Sequence, residues 1–255
     1  MRKYGKLQII DKKRWGNNYL SLFFKDKEIT DKVFPGNFFM IKVGNSYKNI
    51  LPRPFSIARV FPETSVFEIF FQVVGEGTKI LSEYKESDEV EILGPLGNRF
   101  PIKKDKKNIL IAGGRGISPF LYLSKILKAE KIDFTLFYGG KSEKDLMFKD
   151  YLSEFNTVFI TDKGDFGQGG LITDYIPEGD FNIMTCGPDI MMKKVYEFYE
   201  GSNSSVFVSL EERMGCGTGI CYGCAKKIIT PEGVKMVRIC QEGPVFNGRK
   251  VVWDE

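Results

Sequence analysis

Short apolar runs alternate with turn residues along roughly the first hundred residues of the chain. Turn signals such as Pro35-Gly36 and Gly94-Pro95 separate the runs, and no convincing helical pattern lies between them. This pattern predicts a closed antiparallel β-barrel. The predicted strands are Leu7–Ile10, Tyr19–Phe24, Phe38–Val43, Pro54–Val60, Phe67–Val74 and Glu89–Ile92.

From Asn108 onwards, apolar strands alternate with segments in which apolar residues recur at helical spacing. The predicted strands read "NILIAGG", "DFTLFYGG", "NTVFIT" and "FNIMTCGP". The predicted helices are "SPFLYLSKILKAEK" and segments around Lys144–Leu152 and Asp189–Tyr199. Alternation of this kind predicts a doubly wound parallel sheet.

The C-terminal part returns to β-like patterning, with strands predicted at Val206–Leu210, Lys226–Ile229 and Lys235–Arg238 and a hairpin turn at Pro231-Glu232-Gly233. A charged stretch, Lys103–Lys107, is predicted to be a solvated linker. The sequence therefore predicts a multidomain protein of the β and α/β classes. Its predicted domains are a β-barrel at 1–102, a doubly wound α/β domain at 103–203 and a small β-rich domain at 204–255.

Composition narrows the class of protein. The 255 residues are 42% hydrophobic and 27% charged, as in a globular protein with a substantial core. The net charge of +4 is spread along the chain, which favours a solvated surface over a nucleic-acid interface. No apolar run approaches the roughly 18–20 residues that cross a bilayer, and the N-terminus lacks a signal-peptide pattern. We therefore expect a cytoplasmic protein without a membrane or nucleic-acid partner.

The chain contains no histidine. This absence excludes Ser-His and Cys-His nucleophiles, zinc or haem held by histidine, and a Rieske centre. Any metal site must therefore depend mainly on cysteine thiolates, and clustered cysteines in a reducing compartment indicate metal or redox chemistry.

Four of the five cysteines follow the pattern Cys216-x4-Cys221-x2-Cys224, with Cys240 after fifteen further residues. This is the spacing of plant-type [2Fe–2S] proteins. A zinc site with four cysteine ligands is the alternative, but such sites usually show two C-x2-C pairs and this chain has one. The surrounding glycines let the loop fold tightly and turn its N–H groups towards the sulfurs. They are Gly215, Gly217, Gly219 and Gly223.

An iron–sulfur cluster carries one electron at a time, so a nicotinamide donor would need a flavin between itself and the cluster. Two motifs indicate such a flavin. In "RPFSIA", Arg53–Ala58, the arginine can pair with a phosphate and the hydroxyl of Ser56 can bond a ring nitrogen. In "FFQVVGEGT", the glycine amides and the hydroxyl of Thr78 can cradle a diphosphate. Either motif alone is weak, because RPxS is short and GxGT could be an ordinary hairpin turn, whereas the two together are fairly specific.

Two further motifs indicate a dinucleotide. "AGGRGISPF", Ala112–Phe120, lies between a predicted strand and a predicted helix, a place where a glycine turn presents a pyrophosphate to a helix N-terminus. A βα turn without a ligand is the alternative. Cys186, in "TCGPDIMM", ends a strand at the edge where α/β sheets bind ligands. On its own it is more often a small buried residue.

The motifs RPxS, GxGT, GGxGxxP and CGPxxM, in this order, resemble the ferredoxin–NAD(P) reductase superfamily. With the C-terminal segment "LEERMGCGTGICYGCA…CQEGPVF", the chain closely resembles the electron-transfer subunits of NAD-dependent dihydroorotate dehydrogenase complexes. The resemblance covers nearly the whole chain.

This resemblance implies a role for each motif. The barrel would hold FAD through Arg53, Pro54, Phe55 and Ser56, with Ser56 near flavin N5. Phe70, Phe71 and Gln72 would line the flavin, and Gly77 and Thr78 would contact its phosphates. The α/β domain would bind NAD(H) through Gly113, Gly114 and Gly116, with Cys186, Gly187 and Pro188 near the nicotinamide. The metal ligands of the [2Fe–2S] cluster would be Cys216, Cys221, Cys224 and Cys240.

The resemblance also implies a partner, an FMN-containing dihydroorotate dehydrogenase catalytic subunit, in a heterotetramer with two copies of each subunit. Hydride would pass between NAD(H) and FAD, and single electrons between FAD and the cluster, while the partner converts dihydroorotate to orotate. Three alternatives stay open. They are a reductase subunit of the ferredoxin:NADP oxidoreductase or sulfide dehydrogenase type, a self-contained reductase, and a zinc-stabilised module that is not an enzyme.

Two residues depart from the expected pattern. Arg115 replaces a small or neutral residue in the glycine turn, and Lys163, in "TDKGDFG", stands where relatives often carry an acidic residue. Carboxylates favour NAD through the ribose 2′-OH, whereas basic groups accept a 2′-phosphate. The choice between NAD and NADP therefore stays open at this point.

Overall fold

The computed structural model describes residues 3–44 and 50–253. Its first part is a closed barrel with the strand order β1-β2-β5-β4-β3-β6, in which the paired neighbours are antiparallel. This confirms the predicted antiparallel barrel. The strands are β1 (Lys3–Trp15), β2 (Tyr19–Lys25), β3 (Phe38–Ile41), β4 (Arg53–Phe61), β5 (Val66–Gln72) and β6 (Glu89–Leu96).

Aromatic side chains fill the barrel interior. Phe67 of β5 stacks on Phe24 of β2 and on Phe39 of β3, with ring centroids 5.4 and 5.1 Å apart. All three are almost completely buried. Burial of large aromatic and β-branched side chains on one face of each strand is what drives these short runs into a barrel.

Two helices belong to this part of the chain, α1 (Lys27–Thr30) and α2 (Glu76–Glu83). The expectation of no helix between the barrel strands is therefore wrong, and so is a hairpin turn for the "GEGT" motif. The hydroxyl of Thr78 accepts hydrogen bonds from the N–H groups of Val74 and Gly75 at 3.0 and 3.1 Å, which caps α2 at its start. A capping side chain at the third helical position, followed by a buried leucine at Leu81, was the signal for this helix.

The second part is a seven-stranded sheet in the order β10-β9-β8-β7-β11-β12-β15. Its strands are parallel except β15, which runs antiparallel to β12. Helices follow the strands, which confirms the predicted doubly wound architecture. The strands are β7 (Asn108–Gly113), β8 (Phe134–Gly140), β9 (Thr157–Thr161), β10 (Gln168–Gly169), β11 (Asn182–Cys186), β12 (Ser205–Ser209) and β15 (Val245–Asn247); the helices are α3 (Ser118–Ala129), α4 (Lys149–Leu152) and α5 (Asp189–Tyr199).

The helical segment predicted around Lys144–Leu152 is interrupted. A single 3₁₀ turn covers Glu143–Asp145, and α4 begins only after Phe148, whose φ of 60° is left-handed. A residue with positive φ cannot continue a right-handed helix, so the segment forms two short turns.

The cysteine-rich part contains a two-stranded hairpin, β13 (Ala225–Thr230) and β14 (Gly233–Arg238), followed by the short helix α6 (Ile239–Glu242). The hairpin forms around the predicted turn. None of the described helices is both long enough and apolar enough to cross a membrane.

The chain forms two compact units. One contains the chain up to Arg99, Glu211–Lys226 and Val237–Pro244, and the other contains Phe100–Leu210, Lys227–Met236 and the chain from Val245. The loop with three cysteines, and Cys240, therefore belong to the same unit as the barrel. The three-domain division stays a prediction.

Candidate functional site

The cysteine loop packs directly on the barrel at Gly217. This residue has a left-handed φ of 68°, and a β-carbon added to it would lie 2.6 Å from Cγ of Met40 and 3.2 Å from Cδ1 of Leu96. Both neighbours are 1% exposed, so neither can turn out into solvent. Glycine is therefore required here both for the backbone conformation and for the close approach of the loop to β3 and β6.

The four thiols form two pairs. Cys216 is hydrogen-bonded by the backbone and side chain of Cys221. Cys240 is hydrogen-bonded by the side chain of Cys224, and its own N–H donates to Sγ of Cys224 at 3.5 Å. Within the described residues, no group of three or more cysteine, aspartate or glutamate side chains is placed to share one metal ion. A two-iron cluster with four cysteine ligands takes two at each iron, and the pairs Cys216–Cys221 and Cys224–Cys240 match this division.

Each of the four sulfurs accepts at least one N–H hydrogen bond. Such donors stabilise the negative charge of an iron–sulfur cluster and raise its reduction potential. The chain therefore provides four sulfur donors of the right kind together with a polar shell that suits an anionic group. The bonds are Thr218 N to Cys216 Sγ (3.3 Å), Gly223 N to Cys221 Sγ (3.4 Å), Cys240 N to Cys224 Sγ (3.5 Å) and Gln241 Nε2 to Cys240 Sγ (3.8 Å).

The thiols differ in acidity. Burial opposes ionisation of Cys216, but hydrogen bonds from Thr218 and from the Cys221 backbone outweigh it and lower the pKa of the thiol to about 6. Burial, followed by the hydrogen bond with Cys224, raises the pKa of Cys240 to about 11. Because metals bind thiolates, occupation of the site must release a proton from Cys240 at neutral pH.

The predicted flavin motifs meet at Arg53 and Gly77. A β-carbon added at Gly77 would lie 2.9 Å from Nε and 3.1 Å from Nη2 of Arg53, so the guanidinium rests against the start of α2. A guanidinium beside a helix N-terminus brings together two groups that bind phosphate oxygens. The hydroxyl of Thr78 is engaged in capping this helix, and its contact with a phosphate stays a prediction.

The other predicted flavin residues divide by exposure. Phe55, Phe70 and Phe71 are buried; Phe55 packs on Phe71 at 5.2 Å and Phe70 stacks on Tyr19 at 5.6 Å between ring centroids. The half-buried residues are Pro54, Ser56 and Gln72. The aromatic residues thus belong to the barrel core, and it is the half-buried positions that a bound flavin can reach. Their roles towards FAD stay predictions.

Leu51 lies between the flavin motif and the cysteine loop, a position that no sequence motif indicated. A β-carbon added at Gly215 would lie 3.2 Å from Sγ of Cys221 and 3.8 Å from Cδ2 of Leu51. The guanidinium of Arg53 in turn donates a hydrogen bond to the carbonyl oxygen of Leu51. One short segment therefore contacts both the cysteine loop and the arginine that faces α2.

The predicted dinucleotide motifs lie at the carboxyl ends of β7 and β11. These neighbouring strands are the point where the chain, having built β8, β9 and β10 on one side of β7, returns to build β11 on the other. Ligands of open α/β sheets bind at such a switch point. The glycine turn that follows β7 and the Cys186-Gly187-Pro188 turn that follows β11 are thus brought to one edge of the sheet.

The glycines of the first turn have two different functions. A β-carbon added at Gly116 would lie 2.2 Å from the carbonyl oxygen of Cys186, and one added at Gly113 would lie 2.9 Å from Cδ of Pro188. These two glycines let the turns after β7 and β11 pack together. Gly114, with a left-handed φ of 53° and no atom within 4 Å of an added β-carbon, presents open backbone. Of the three predicted glycines, Gly114 is therefore the one with open space around it, and its contact with a dinucleotide stays a prediction.

Ser118 is a further residue of this site that the sequence analysis missed. It begins α3 directly after the glycine turn, it is 4% exposed, and its Oγ has no hydrogen-bond partner among the described residues. A buried hydroxyl at a helix N-terminus suits a phosphate oxygen. Cys186 is 3% exposed, which is typical of a structural thiol rather than a nucleophile, and its position near the nicotinamide stays a prediction.

Two basic residues left the choice between NAD and NADP open, and they lie in separate loops of the unit that contains Phe100–Leu210. Arg115 is exposed in the glycine turn. Lys163 is exposed after β9, where its N–H donates to the carbonyl oxygen of Lys141 at 3.3 Å. The loops that follow β8 and β9 therefore lie side by side, each with an exposed lysine.

Comparison with known proteins adds independent findings. Residues 211–252 match the family model of the iron–sulfur cluster binding domain of dihydroorotate dehydrogenase B, and residues 110–197 match that of the oxidoreductase NAD-binding domain. These matches confirm that the chain carries an iron–sulfur region and a nicotinamide-binding region.

Two relatives carry the same description, dihydroorotate dehydrogenase B (NAD(+)), electron transfer subunit. The protein from Caldanaerobacter subterraneus subsp. tengcongensis is 38% identical over 257 residues, covering 99% of this chain and 100% of the relative. That from Clostridium perfringens is 38% identical over 225 residues, covering 86% of this chain and 87% of the relative.

Solved structures share the fold. The structure of an NADH-dependent reduced ferredoxin-NADP oxidoreductase, which concerns flavin-based electron bifurcation, has a TM-score of 0.85 and 27% identity, and covers 97% of this chain and 90% of that one. A ferredoxin NADP+ reductase from Neisseria gonorrhoeae with bound FAD and NADP has a TM-score of 0.66 at 17% identity, covering 78% and 91%. Both support the predicted fold class.

Proposed function

Because the chain belongs to the family of dihydroorotate dehydrogenase B electron transfer subunits, we propose that it passes electrons between NAD(H), FAD and a [2Fe–2S] cluster. The family membership confirms the resemblance that its motifs indicated. The chain is thus an oxidoreductase subunit, and its dihydroorotate chemistry belongs to a catalytic partner subunit.

One observation carries this proposal: the Leu51–Arg53 segment contacts the cysteine loop at one end and the start of α2 at the other. Leu51 lies against the glycine next to Cys216, and Arg53 rests on Gly77. A flavin held at Arg53 and a cluster held by the cysteines would then occupy neighbouring parts of one compact unit. Short separation is what transfer of single electrons between them requires.

The cofactors supply hydride and single-electron transfer, and the chain supplies binding and electrostatics. We assign pyrophosphate binding to Arg53 and to the N–H groups that begin α2. The half-buried hydroxyl of Ser56 is assigned to the flavin edge near N5. Gly114 and Ser118 hold the dinucleotide phosphates at the start of α3. The four cysteines bind the irons as thiolates, and the N–H groups on their sulfurs offset the negative charge.

The partner subunit completes the reaction in this proposal. We infer that it contains FMN and oxidises dihydroorotate to orotate, exchanging electrons with the cluster of the present chain. A heterotetramer with two copies of each subunit and a cytoplasmic location stay predictions.

The test is to isolate the native complex and measure orotate reduction with NADH. The expected result is NADH-dependent orotate reduction by the complex, together with reduction of the bound flavin by NADH in the purified chain alone. The Cys221→Ser variant serves as the matched control, because it should keep flavin reduction by NADH and lose electron transfer to orotate. A complex that is loaded with flavin and iron but inert towards orotate would overturn the proposed partner.

A second function is favoured by one finding, the structural similarity to the NADH-dependent reduced ferredoxin-NADP oxidoreductase. In that case the same cofactors would serve a partner that reacts with ferredoxin. The intact four-cysteine pattern and the family membership favour the first function. Reduction of the flavin by reduced ferredoxin in the native complex, without orotate reduction, would favour the second.

A further inference from the structure

The segment that carries Cys240 is held against the cysteine loop by the side chains of Arg238, two residues before this ligand, and Gln241, the residue after it. Nη1 of Arg238 donates to the carbonyl oxygen of Gly219 at 3.3 Å, and Nε2 of Gln241 donates to that of Gly217 at 3.1 Å. A β-carbon added at Gly219 would lie 2.6 Å from Cγ of Gln241. Two carbonyl groups of the loop between Cys216 and Cys221 are thus bonded from the segment of the fourth cysteine.

Arg238 also contacts the other side of Cys221. Its guanidinium carbon lies 5.2 Å from the ring centroid of Tyr222, the residue after that cysteine. Its Nε lies 3.2 Å from Oε1 of Glu242, and its backbone N–H donates to Oε2 of the same carboxylate at 2.8 Å. The arginine is therefore oriented by Glu242 and placed beside the ligand loop.

Stability does not account for this arrangement. The side chains of Arg238 and Glu242 are 32% and 38% exposed, and ion pairs between partly solvated groups contribute little to folding. The guanidinium is instead bonded to the loop between Cys216 and Cys221, which places its positive charge beside the cluster ligands.

We propose that Arg238, Glu242 and Gln241 are positioning residues that set the reduction potential of the cluster and hold Cys240 in place as its fourth ligand. This inference rests on the proposed iron–sulfur function. Reduction adds a negative charge to the cluster, so a nearby positive charge stabilises the reduced form and a nearby carboxylate destabilises it. The N–H that Gln241 donates to the sulfur of Cys240 acts in the same direction as the arginine.

The test is a potentiometric titration of the cluster, followed by electron paramagnetic resonance, in the purified holoprotein and four variants. Arg238→Gln should lower the potential and Glu242→Gln should raise it. Each substitution should change the equilibrium constant for one-electron reduction of the cluster about threefold or more. This corresponds to a shift in potential of about 28 mV, since a tenfold change in a one-electron equilibrium is about 59 mV. The double variant should return close to the parent, and Gln241→Met should lower the potential as the arginine variant does.

The matched control is Lys6→Gln, which removes one exposed positive charge from an ion pair with Glu89 in the same compact unit. It should leave the potential unchanged. Loss of packing alone would shift the arginine and glutamate variants in the same direction, so shifts of equal sign, or shifts below twofold, overturn the proposal. Purified parent protein without iron would instead contradict the proposed function itself.

Discussion

Substitution of Gly116 by alanine should impair the nicotinamide site and leave the other two cofactor sites intact. The added β-carbon would lie 2.2 Å from the carbonyl oxygen and 2.5 Å from the carbonyl carbon of Cys186. Ordinary contacts of this kind begin at about 3.4 Å. Because the obstacle is backbone on both sides, the turns after β7 and β11 must move apart by roughly 1 Å.

The expected consequence is kinetic. A displacement of about 1 Å in a site that aligns reacting groups can reduce the rate about 100-fold, which corresponds to about 2.7 kcal/mol of activation free energy. Overpacking of this kind also costs roughly 1–3 kcal/mol of stability. Flavin and iron content should remain unchanged, because Arg53 and the cysteines lie in the other compact unit.

The assay is stopped-flow reduction of the bound flavin by NADH, with flavin and iron quantified in the same sample. Gly201→Ala is the matched control, since no atom lies within 4 Å of its added β-carbon and its unit is the same. In this control variant, NADH should reduce the bound flavin at the same rate as in the parent protein. If Gly116→Ala reduces as fast as this control, the turns are not held by backbone contact and the assignment of the site is refuted.

Three further variants test the flavin and cluster sites. Cys221→Ser should abolish the paramagnetic signal of the cluster and leave the flavin bound, and iron content equal to that of the parent would contradict its assignment as a ligand. Gly217→Ala should lower the free energy of unfolding by about 2–5 kcal/mol. Left-handed backbone strain contributes about 1–2 kcal/mol of this loss and overpacking about 1–3 kcal/mol. The matched control is Gly16→Ala, which has the same backbone strain but open space around it, so its free energy of unfolding should fall by only about 1–2 kcal/mol. Denaturant titrations measure both losses, and equal losses would exclude the predicted collision at Gly217. Arg53→Ala should release FAD on gel filtration, whereas full flavin occupancy would show that the guanidinium beside Gly77 does not hold the cofactor.

The basic loops of the nucleotide-binding unit make one more prediction. Lys141 and Lys163 are exposed and adjacent through a backbone hydrogen bond, while the nearby Asp162 would favour the ribose hydroxyl of NAD. If the lysines contact a 2′-phosphate, Lys163→Glu should slow flavin reduction by NADPH and leave reduction by NADH unchanged. Parallel stopped-flow traces with the two nucleotides decide this, and equal rates with NADPH before and after the substitution would exclude the contact.

The helix α2 shows where pattern reasoning failed and why. Its motif, Gly75 to Thr78, has the composition of a turn, and a helix of eight residues is too short to show a convincing period. The capping by Thr78 is a local signal that sequence analysis can use. The contact between Gly77 and Arg53 is not, because it depends on how β4 and α2 meet in the barrel.

The chemistry of the metal site was determined by the sequence alone. Ligand spacing such as Cys216-x4-Cys221-x2-Cys224 lies within one loop, and the absence of histidine removes competing ligands. Likewise, the alternation of strands and helices specifies the parallel sheet, because hydrophobic period and element order are properties of the chain itself.

Only the tertiary structure decided which residues meet across long separations. It paired Cys240 with Cys224, placed Leu51 against the cysteine loop, and made Gly113 and Gly116 packing positions for the turn after β11. It also revealed the buried, unpartnered hydroxyl of Ser118 among the described residues. These contacts follow from strand order and from the mutual packing of loops, and no local pattern encodes them, since each contact depends on where distant segments of the chain come to lie.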